Sequence, residues 1–134
     1  MDYFPIFLNL NAEPCLVVGA GPVAARKVAL LCRSGAAVHV VAPEASDAIR
    51  TAAAENTLTW HQRKWRTSDL DGVRLVFAAT DDDDLNNEIA TACKAQGIPI
   101  NVVDTTPLCS FIMPSIVDRS PVLAAVSTGG AAPA

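Results

Sequence analysis

Short apolar runs alternate with amphipathic stretches along most of the chain. The apolar runs have the length and composition of strands, and they cover residues 15–20, 38–42, 58–62, 74–80 and 98–103. Between them the spacing of apolar residues predicts helices, over 22–34, 46–55 and 83–96. Strands that alternate with helices imply right-handed crossovers and a parallel sheet covered on both faces. The predicted fold class is therefore α/β, with a Rossmann-like, doubly wound, mainly parallel sheet.

Prolines and glycines mark the predicted helix ends. Pro22 suits a first helical turn, where a missing N–H costs nothing. Gly35 and Gly97 stand where a helix C-terminus favours positive φ. The first predicted helix is thus bounded at both ends, and the third at its C-terminus, by residues whose backbone preferences suit those positions.

The pattern changes at the two ends of the chain. Residues 5–10 alternate only weakly between apolar and polar. Two β-like runs, 115–118 and 121–127, flank a predicted turn at 118–121, which indicates a hairpin leaving the sheet. A Gly/Ala/Pro tail follows, so we expect a longer protein to continue beyond it. We expect two units, a Rossmann domain over 1–113 and the beginning of a hairpin segment over 114–134.

Composition narrows the classes of function. With 134 residues, 51% of them hydrophobic, the chain suits one core. A net charge of -4 argues against nucleic acid and anionic membrane surfaces as partners. Without a long apolar segment, and with Asp2 where a secretory signal would be basic, the chain is expected to be cytoplasmic. The four cysteines lack metal-ligand spacing, so we expect reduced thiols and no metal site.

The first strand runs into a glycine-rich turn. Gly19 and Gly21 occupy the first two positions of G-x-G-x-x-G/A, and Ala24 takes the third. Unpaired N–H groups at the following helix N-terminus suit a pyrophosphate. The turn therefore predicts a dinucleotide site, and a tight structural corner is the alternative. Its predicted cofactor contacts are Gly19, Ala20, Gly21, Pro22 and Val23.

Pro43 and Glu44, which follow the second strand, are the candidates for the ribose side of the cofactor. Glu44 comes a few residues later than the acidic residue of the fingerprint, and a solvated helix-start acid is an equal alternative. No arginine lies immediately there to favour a 2′-phosphate, so NAD is preferred over NADP.

Polar residues also follow the fourth and fifth strands, where ligands of open α/β sheets collect. Thr80, Asp81 and Asn101 are predicted to line the cofactor cleft, whereas Asp82 to Asp84 suit a helix cap and first turn. Asp104 follows the fifth strand with no helical pattern after it. It is predicted to be a general base beside a nicotinamide, and an Asx-turn residue is the alternative.

Other charged residues carry weaker signals. His39 and His61 lie within strand patterns and are predicted to be packed or edge histidines and not catalytic ones. The basic residues after the third strand, Arg63, Lys64 and Arg66, are predicted to form a solvated cluster. Arg26 and Lys27 lie near a helix N-terminus, where cations gain nothing from the dipole, which hints at an anionic neighbour.

Several blocks of sequence together carry a family resemblance: "PIFLNL", "CLVVGAGPVAARK", "VVAPE", "FAATDDDDLN", "NVVD" and "SFIMPSIVDRSPVLAAVSTGG". They resemble the amino-terminal module of siroheme synthase, a precorrin-2 dehydrogenase and sirohydrochlorin ferrochelatase, over essentially the whole chain. The resemblance implies NAD⁺-dependent oxidation of precorrin-2 and then ferrous iron insertion to give siroheme. It also implies a homodimer, in which the hairpin is the start of a dimerisation segment that completes the active site.

The resemblance further implies roles for single residues. Asp104 matches the aspartate assigned to both dehydrogenation and chelation. The candidates for contacts with substrate carboxylates are Arg119, Ser127, Thr128 and Gly129. Some relatives have a phosphorylatable serine where this chain has Thr128, and phosphorylation here stays open. Two other hypotheses remain, a non-catalytic NAD-sensing module and a dehydrogenase without chelatase activity.

Overall fold

A computed structural model of the chain describes residues 1–129. The strands are β1 Pro14–Val18, β2 Ala37–Val41, β3 Thr59–His61, β4 Leu75–Ala78, β5 Ile100–Val102, β6 Ser115–Arg119 and β7 Val122–Val126. The α-helices are α1 Pro22–Arg33, α2 Asp47–Ala54 and α3 Asp83–Gln96. Short 3-10 helices, which the sequence did not predict, cover Thr67–Leu70 and Thr106–Leu108.

The first five strands form one parallel sheet in the order β3-β2-β1-β4-β5. The chain moves outward from β1 to β3 and then returns to the other side of β1, so the strand order reverses between β1 and β4. Such a switch point opens a crevice at the carboxyl ends of the strands. The predicted Rossmann-like fold is confirmed.

Successive residues of the central strand β1 are buried on opposite faces of the sheet. Cys15 and Val17 join the core under α1 and α2, whereas Leu16 and Val18 join the core under α3. All four are at most 2% exposed, which explains why this strand has an unbroken apolar sequence.

The cysteines help to fill these cores. All four are free thiols, and Cys15 and Cys93 are fully buried. Burial is the main cause that raises the pKa of each of these two thiols to about 11. They are therefore neutral packing groups at physiological pH.

The predicted helix stops are confirmed. Gly35 has a φ of +76°, and Ala36 N–H donates to the Leu31 carbonyl at 3.2 Å to close α1. Gly97 has a φ of +70° and ends α3 in the same left-handed conformation. Pro22 is the first residue of α1.

The two ends of the chain differ from the predicted pattern. Residues 5–10 are irregular and run along an apolar groove of about 430 Å³ between the end of α1 and the hairpin. The hairpin loop consists of Ser120 and Pro121, because Arg119 pairs with Val122. The predicted turn at 118–121 is therefore one residue too early at its start.

The hairpin forms a sheet of its own, with β6 and β7 antiparallel. An ion pair between Arg33 and Asp118, 3.4 Å long and largely exposed, joins it to α1. The division at 113/114 stays a prediction, and residues 130–134 lie outside the described residues. In the part of the chain that the structure describes, no helix has the length and apolar character needed to cross a bilayer.

The loop after β3 is less solvated than predicted. Arg63 is half-buried, and its two terminal nitrogens donate to the Asp69 carboxylate at 3.0 and 2.6 Å. The Arg66 backbone N–H donates to the same carboxylate. The prediction of a solvated cluster is therefore wrong for Arg63, whereas Lys64 and Arg66 are exposed.

The two histidines pack together on neighbouring strands, as predicted. His39 Nδ1 and His61 Nε2 are 3.0 Å apart, and the rings stack with centroids 5.3 Å apart. Burial, then the His39 ring and Arg63, lower the pKa of His61. The hydrogen bond between the rings needs at least one neutral imidazole.

The His61 pKa predicts a pH-dependent stability. Because the folded-state pKa lies below the ordinary value of 6.5, the stabilisation is complete above that pH and is lost as the pH falls toward the folded-state pKa. Urea unfolding of the wild type between pH 7.5 and 5.5 should show this loss. His61→Phe should flatten the pH profile, whereas His39→Gln, which leaves His61 in place, should flatten it less. If the free energy of unfolding changes equally with pH in the wild type and in His61→Phe, this explanation is wrong.

Candidate active site

The glycine-rich turn rests directly against the end of β4. Gly19 has a φ of +110°, and a Cβ on it would lie 2.8 Å from the Ala79 carbonyl carbon and closer still to its oxygen. Conformation and space each require glycine at this position. The contact fixes the turn beside the loop that follows β4.

Gly21 serves a different purpose from Gly19. It is the N-cap residue of α1 at an ordinary φ of -86°, and a Cβ there would meet nothing within 4 Å. No side chain caps this helix, and its first turn carries no acidic residue. The first N–H groups of α1 therefore face open space, as an anion site requires.

The loop after β2 lies beside this turn. Gly19 N–H donates to the Val41 carbonyl at 3.0 Å, and Ser46 N–H donates to the Ala20 carbonyl at 2.8 Å. Pro43 and Glu44 are exposed in this loop. Glu44 lies two residues before Ser46, the N-cap residue of α2, so its role as a ribose contact stays a prediction beside the alternative of a solvated acid at the helix start.

The loop after β4 is held by its own side chains. Thr80 Oγ1 donates to Asn86 Oδ1 at 2.6 Å, and Asn86 Nδ2 donates back to the Thr80 carbonyl at 3.0 Å. Asp82 caps α3 by accepting from Leu85 N–H, whereas Asp81 is exposed. Sequence reasoning missed the buried Asn86, because one asparagine within a helix carries no local signal.

Beyond β5 a cavity of about 390 Å³ opens between the sheet and the base of the hairpin. It brings Asp104 together with Ser127 and Thr128, three residues that the sequence had proposed for chemistry or substrate contact. Asn101 also lines it but is 8% exposed, and its amide donates to the Phe111 carbonyl at 3.0 Å. Its amide therefore fixes the wall of the cavity.

Asp104 has an unusual backbone. It lies in a turn closed by the hydrogen bond from Thr105 N–H to the Val102 carbonyl, and its φ is +62°. The residue is exposed, and its carboxylate makes no hydrogen bond within residues 1–129. The Asx-turn alternative requires such a bond. A strained non-glycine residue with an available carboxylate is typical of a functional position.

Two predicted substrate contacts lie away from the cavity. Ser115 and Val126 line it at the base of the hairpin, whereas Arg119 lies at the tip, roughly 13 Å further along the strand. Gly129, at a φ of +69°, lies near Tyr3 and outside the lining. The structure therefore does not bring Arg119 to Asp104, whereas Gly129 follows the lining residue Thr128 and donates its N–H to Ser127 Oγ at 3.0 Å, so its role as a substrate contact stays a prediction.

Cys109 and Lys27 are among the lining residues that the sequence did not propose for this cavity. Cys109 exchanges hydrogen bonds of 3.2 Å with the backbone N–H and carbonyl of Val102, and burial raises the pKa of its thiol. Lys27 reaches the cavity from α1. The only sequence signal for Lys27 was its positive charge near a helix N-terminus, where a cation gains nothing from the helix dipole. No sequence signal pointed to Cys109.

The model of one protein family, described as "Putative NAD(P)-binding", matches residues 6–115. The chain belongs to this NAD(P)-binding family. The predicted nicotinamide dinucleotide cofactor is thereby confirmed, and the uncapped α1 N-terminus and the open space at Gly21 fit its pyrophosphate.

Individual relatives agree with the family resemblance. The chain is 56% identical to siroheme synthase of Pseudoalteromonas atlantica and 52% identical to that of Methylococcus capsulatus, each over 133 residues. Both matches cover 99% of this chain but only 29% and 28% of those proteins. The chain thus spans less than a third of the length of these relatives.

Solved structures of this fold include two dehydrogenases. "SirC, precorrin-2 dehydrogenase" is 28% identical with a TM-score of 0.78, over 98% of this chain and 64% of that one. D-lactate dehydrogenase from Escherichia coli is 14% identical with a TM-score of 0.54, over 71% and 29% of the two chains, and shows the fold alone.

The two glycines of the predicted dinucleotide-binding turn should have separable effects when substituted. Gly19→Ala should lower the free energy of unfolding by roughly 2–4 kcal/mol, because its Cβ would meet the Ala79 carbonyl at positive φ. Gly21→Ala should cost less than about 1 kcal/mol, yet raise the Kd for NAD⁺ about tenfold because its methyl group enters the pyrophosphate space. Thermal unfolding and calorimetric titration with NAD⁺ measure the two effects. Equal losses of stability, or wild-type NAD⁺ affinity in Gly21→Ala, would contradict this division.

Proposed function

We propose that the protein containing this chain oxidises precorrin-2 to sirohydrochlorin with NAD⁺. The observation that carries the proposal is the Asp104 carboxylate, which has no hydrogen bond or ion pair within residues 1–129 and lines a cavity beyond the carboxyl end of β5, on the side of the sheet where the dinucleotide is expected. The resemblance to siroheme synthases and to a precorrin-2 dehydrogenase supports the same substrate. A module that only senses NAD has no need of a strained carboxylate in such a cavity.

The reaction removes a hydride and a proton from the macrocycle and leaves a new double bond. When bound, the oxidised nicotinamide accepts the hydride. The Asp104 carboxylate accepts the proton, since no neighbouring group within residues 1–129 occupies its oxygens. Ser127 and Thr128 line the same cavity, and the Ser127 hydroxyl, which accepts from Gly129 N–H at 3.0 Å, keeps its own proton to donate to a substrate carboxylate.

Ferrous iron insertion is the second step that we propose for this site. Iron enters as a substrate, and two pyrrole protons must leave as the macrocycle nitrogens bind it. The same Asp104 carboxylate can accept them in the same cavity. A dehydrogenase that lacks this second activity is the alternative, and the experiment on Asp104 separates the two.

Asp104→Asn is the decisive substitution, because asparagine tolerates positive φ but is a poor proton acceptor. In the full-length protein, supplied anaerobically with precorrin-2 and NAD⁺, we expect the rate of NADH formation to fall about 10²–10⁴-fold. Affinity for NAD⁺ should stay unchanged. With sirohydrochlorin and ferrous iron supplied directly, without NAD⁺, we expect a comparable fall in the rate of siroheme formation, because the dehydrogenation step is then bypassed.

Asp83→Asn is the matched control, since Asp83 is an exposed carboxylate in the first turn of α3. Absence of NADH with the wild type would refute the dehydrogenase proposal. With sirohydrochlorin supplied directly, normal siroheme formation by Asp104→Asn would remove Asp104 from the chelation step, and no siroheme from the wild type would favour the dehydrogenase-only alternative.

We also propose that two copies associate through the hairpin. Its side chains include exposed apolar residues at Val117, Val122 and Val126, which the register places on one face. A contiguous apolar surface of this kind is typical of an interface. The resemblance to siroheme synthase implies the same homodimer.

A charge on this face should separate the copies. In sedimentation at micromolar concentration, the wild-type full-length protein should be a dimer and Val122→Lys a monomer, because a lysine ammonium would have to be desolvated in the interface. Ala54→Lys, at an exposed position at the end of α2, should leave the dimer intact. A dimer that survives Val122→Lys would locate the interface elsewhere.

A further inference from the structure

Lys27 is the basic residue that shares a cavity with Asp104. It lies in the second turn of α1, is half-buried, and contributes to the lining together with residues of the turn after β5 and the hairpin base. Its Nζ atom is 5.7 Å from the centroid of the Phe77 ring. The neighbouring Arg26 is exposed and does not line the cavity.

No anion among the described residues forms an ion pair with this ammonium. Within residues 1–129 the ion pairs are Arg33–Asp118 and Arg63–Asp69, and Lys27 makes no hydrogen bond there. The carboxylate of Asp104 lines the same cavity without pairing with it. A half-buried ammonium loses hydration, and the Phe77 ring compensates for only part of that loss.

The polar groups around Lys27 suit an anionic ligand. The cavity lining includes the hydroxyl-bearing residues Thr105, Thr106 and Ser127, which can donate hydrogen bonds to carboxylate oxygens. Lys27 lies on the β5 side of the site with Asp104, whereas the pyrophosphate is expected at the glycine-rich turn. A carboxylate of the substrate therefore fits this position better than a cofactor phosphate does.

We propose that Lys27 binds a carboxylate side chain of the macrocyclic substrate and thereby orients the macrocycle toward Asp104. The inference rests on the proposed function, because precorrin-2 is a polycarboxylate. Lys27 supplies a charge-assisted hydrogen bond in the bound complex, and the proton acceptor remains Asp104. Lys27 is thus a substrate-positioning residue.

Three substitutions separate this role from a structural one. Lys27→Met removes the charge but keeps an unbranched apolar side chain against Phe77, and Lys27→Arg keeps the charge. Arg26→Gln removes a charge one residue away, outside the cavity lining. Thermal unfolding of each variant should stay close to that of the wild type.

In the full-length protein, Lys27→Met should raise the KM for precorrin-2 about tenfold and change kcat less than about twofold. The Kd for NAD⁺ should stay unchanged. Lys27→Arg should recover most of the affinity, and Arg26→Gln should behave as the wild type. The wild-type KM should rise with salt concentration more steeply than that of Lys27→Met, because salt screens the charge that the variant lacks.

A direct titration with sirohydrochlorin in the absence of NAD⁺, followed by its absorbance, gives a readout independent of turnover. Weaker binding of sirohydrochlorin by Lys27→Met than by the wild type would support the proposal for Lys27. A wild type that forms no NADH would refute the dehydrogenase proposal, but it would leave this binding result standing. Equal affinity of Lys27→Met and the wild type for the macrocycle would overturn the proposal for Lys27. So would a loss of NAD⁺ affinity without a change in macrocycle affinity.

Discussion

The backbone of Gly19 lies against the Ala79 carbonyl, and this contact joins the two loops that border the switch point of the sheet. Because no side chain fits between them, the N-terminus of α1 is held at the carboxyl edge of β1 and β4. The hydrogen bonds from Gly19 to Val41 and from Ser46 to Ala20 then bring in the loop after β2. The geometry of the predicted dinucleotide site therefore follows from one close backbone approach, and a Cβ at Gly21 would meet no atom within 4 Å.

Beyond β5 a second set of constraints builds the cavity. The Asn101 amide and the Cys109 thiol bind backbone groups and fix the wall. Asp104 is presented on a strained turn, and Lys27 reaches the cavity from the opposite element, α1. The half-buried Lys27 ammonium has lost hydration without gaining an ion pair within residues 1–129, whereas the exposed Asp104 carboxylate stays solvated; a ligand that carries both acidic groups and removable protons suits both residues.

The sequence predicted those features that local physics determines. A central strand buried on both faces must be apolar throughout, and Pro22, Gly35 and Gly97 mark helix ends because of their own backbone preferences. The features that the sequence did not predict depend on tertiary contacts. The half-buried Arg63–Asp69 pair and the Asn86 bonds join residues several positions apart, and the distance of Arg119 from the cavity depends on how the hairpin lies. For Lys27 the sequence indicated only that a cation lies near a helix N-terminus, where the helix dipole disfavours it.

The strands of the hairpin pair only with each other in the described part of the chain, and all ten of their residues are exposed. The cavity thus has one wall anchored in a buried five-stranded sheet and another, at Ser115 and Val126, carried by a lightly supported element. Under the proposed pairing of two copies, burial of the hairpin would stiffen that second wall. Association would then contribute to pre-organising the substrate pocket, and the affinity for the macrocycle would vary with protein concentration.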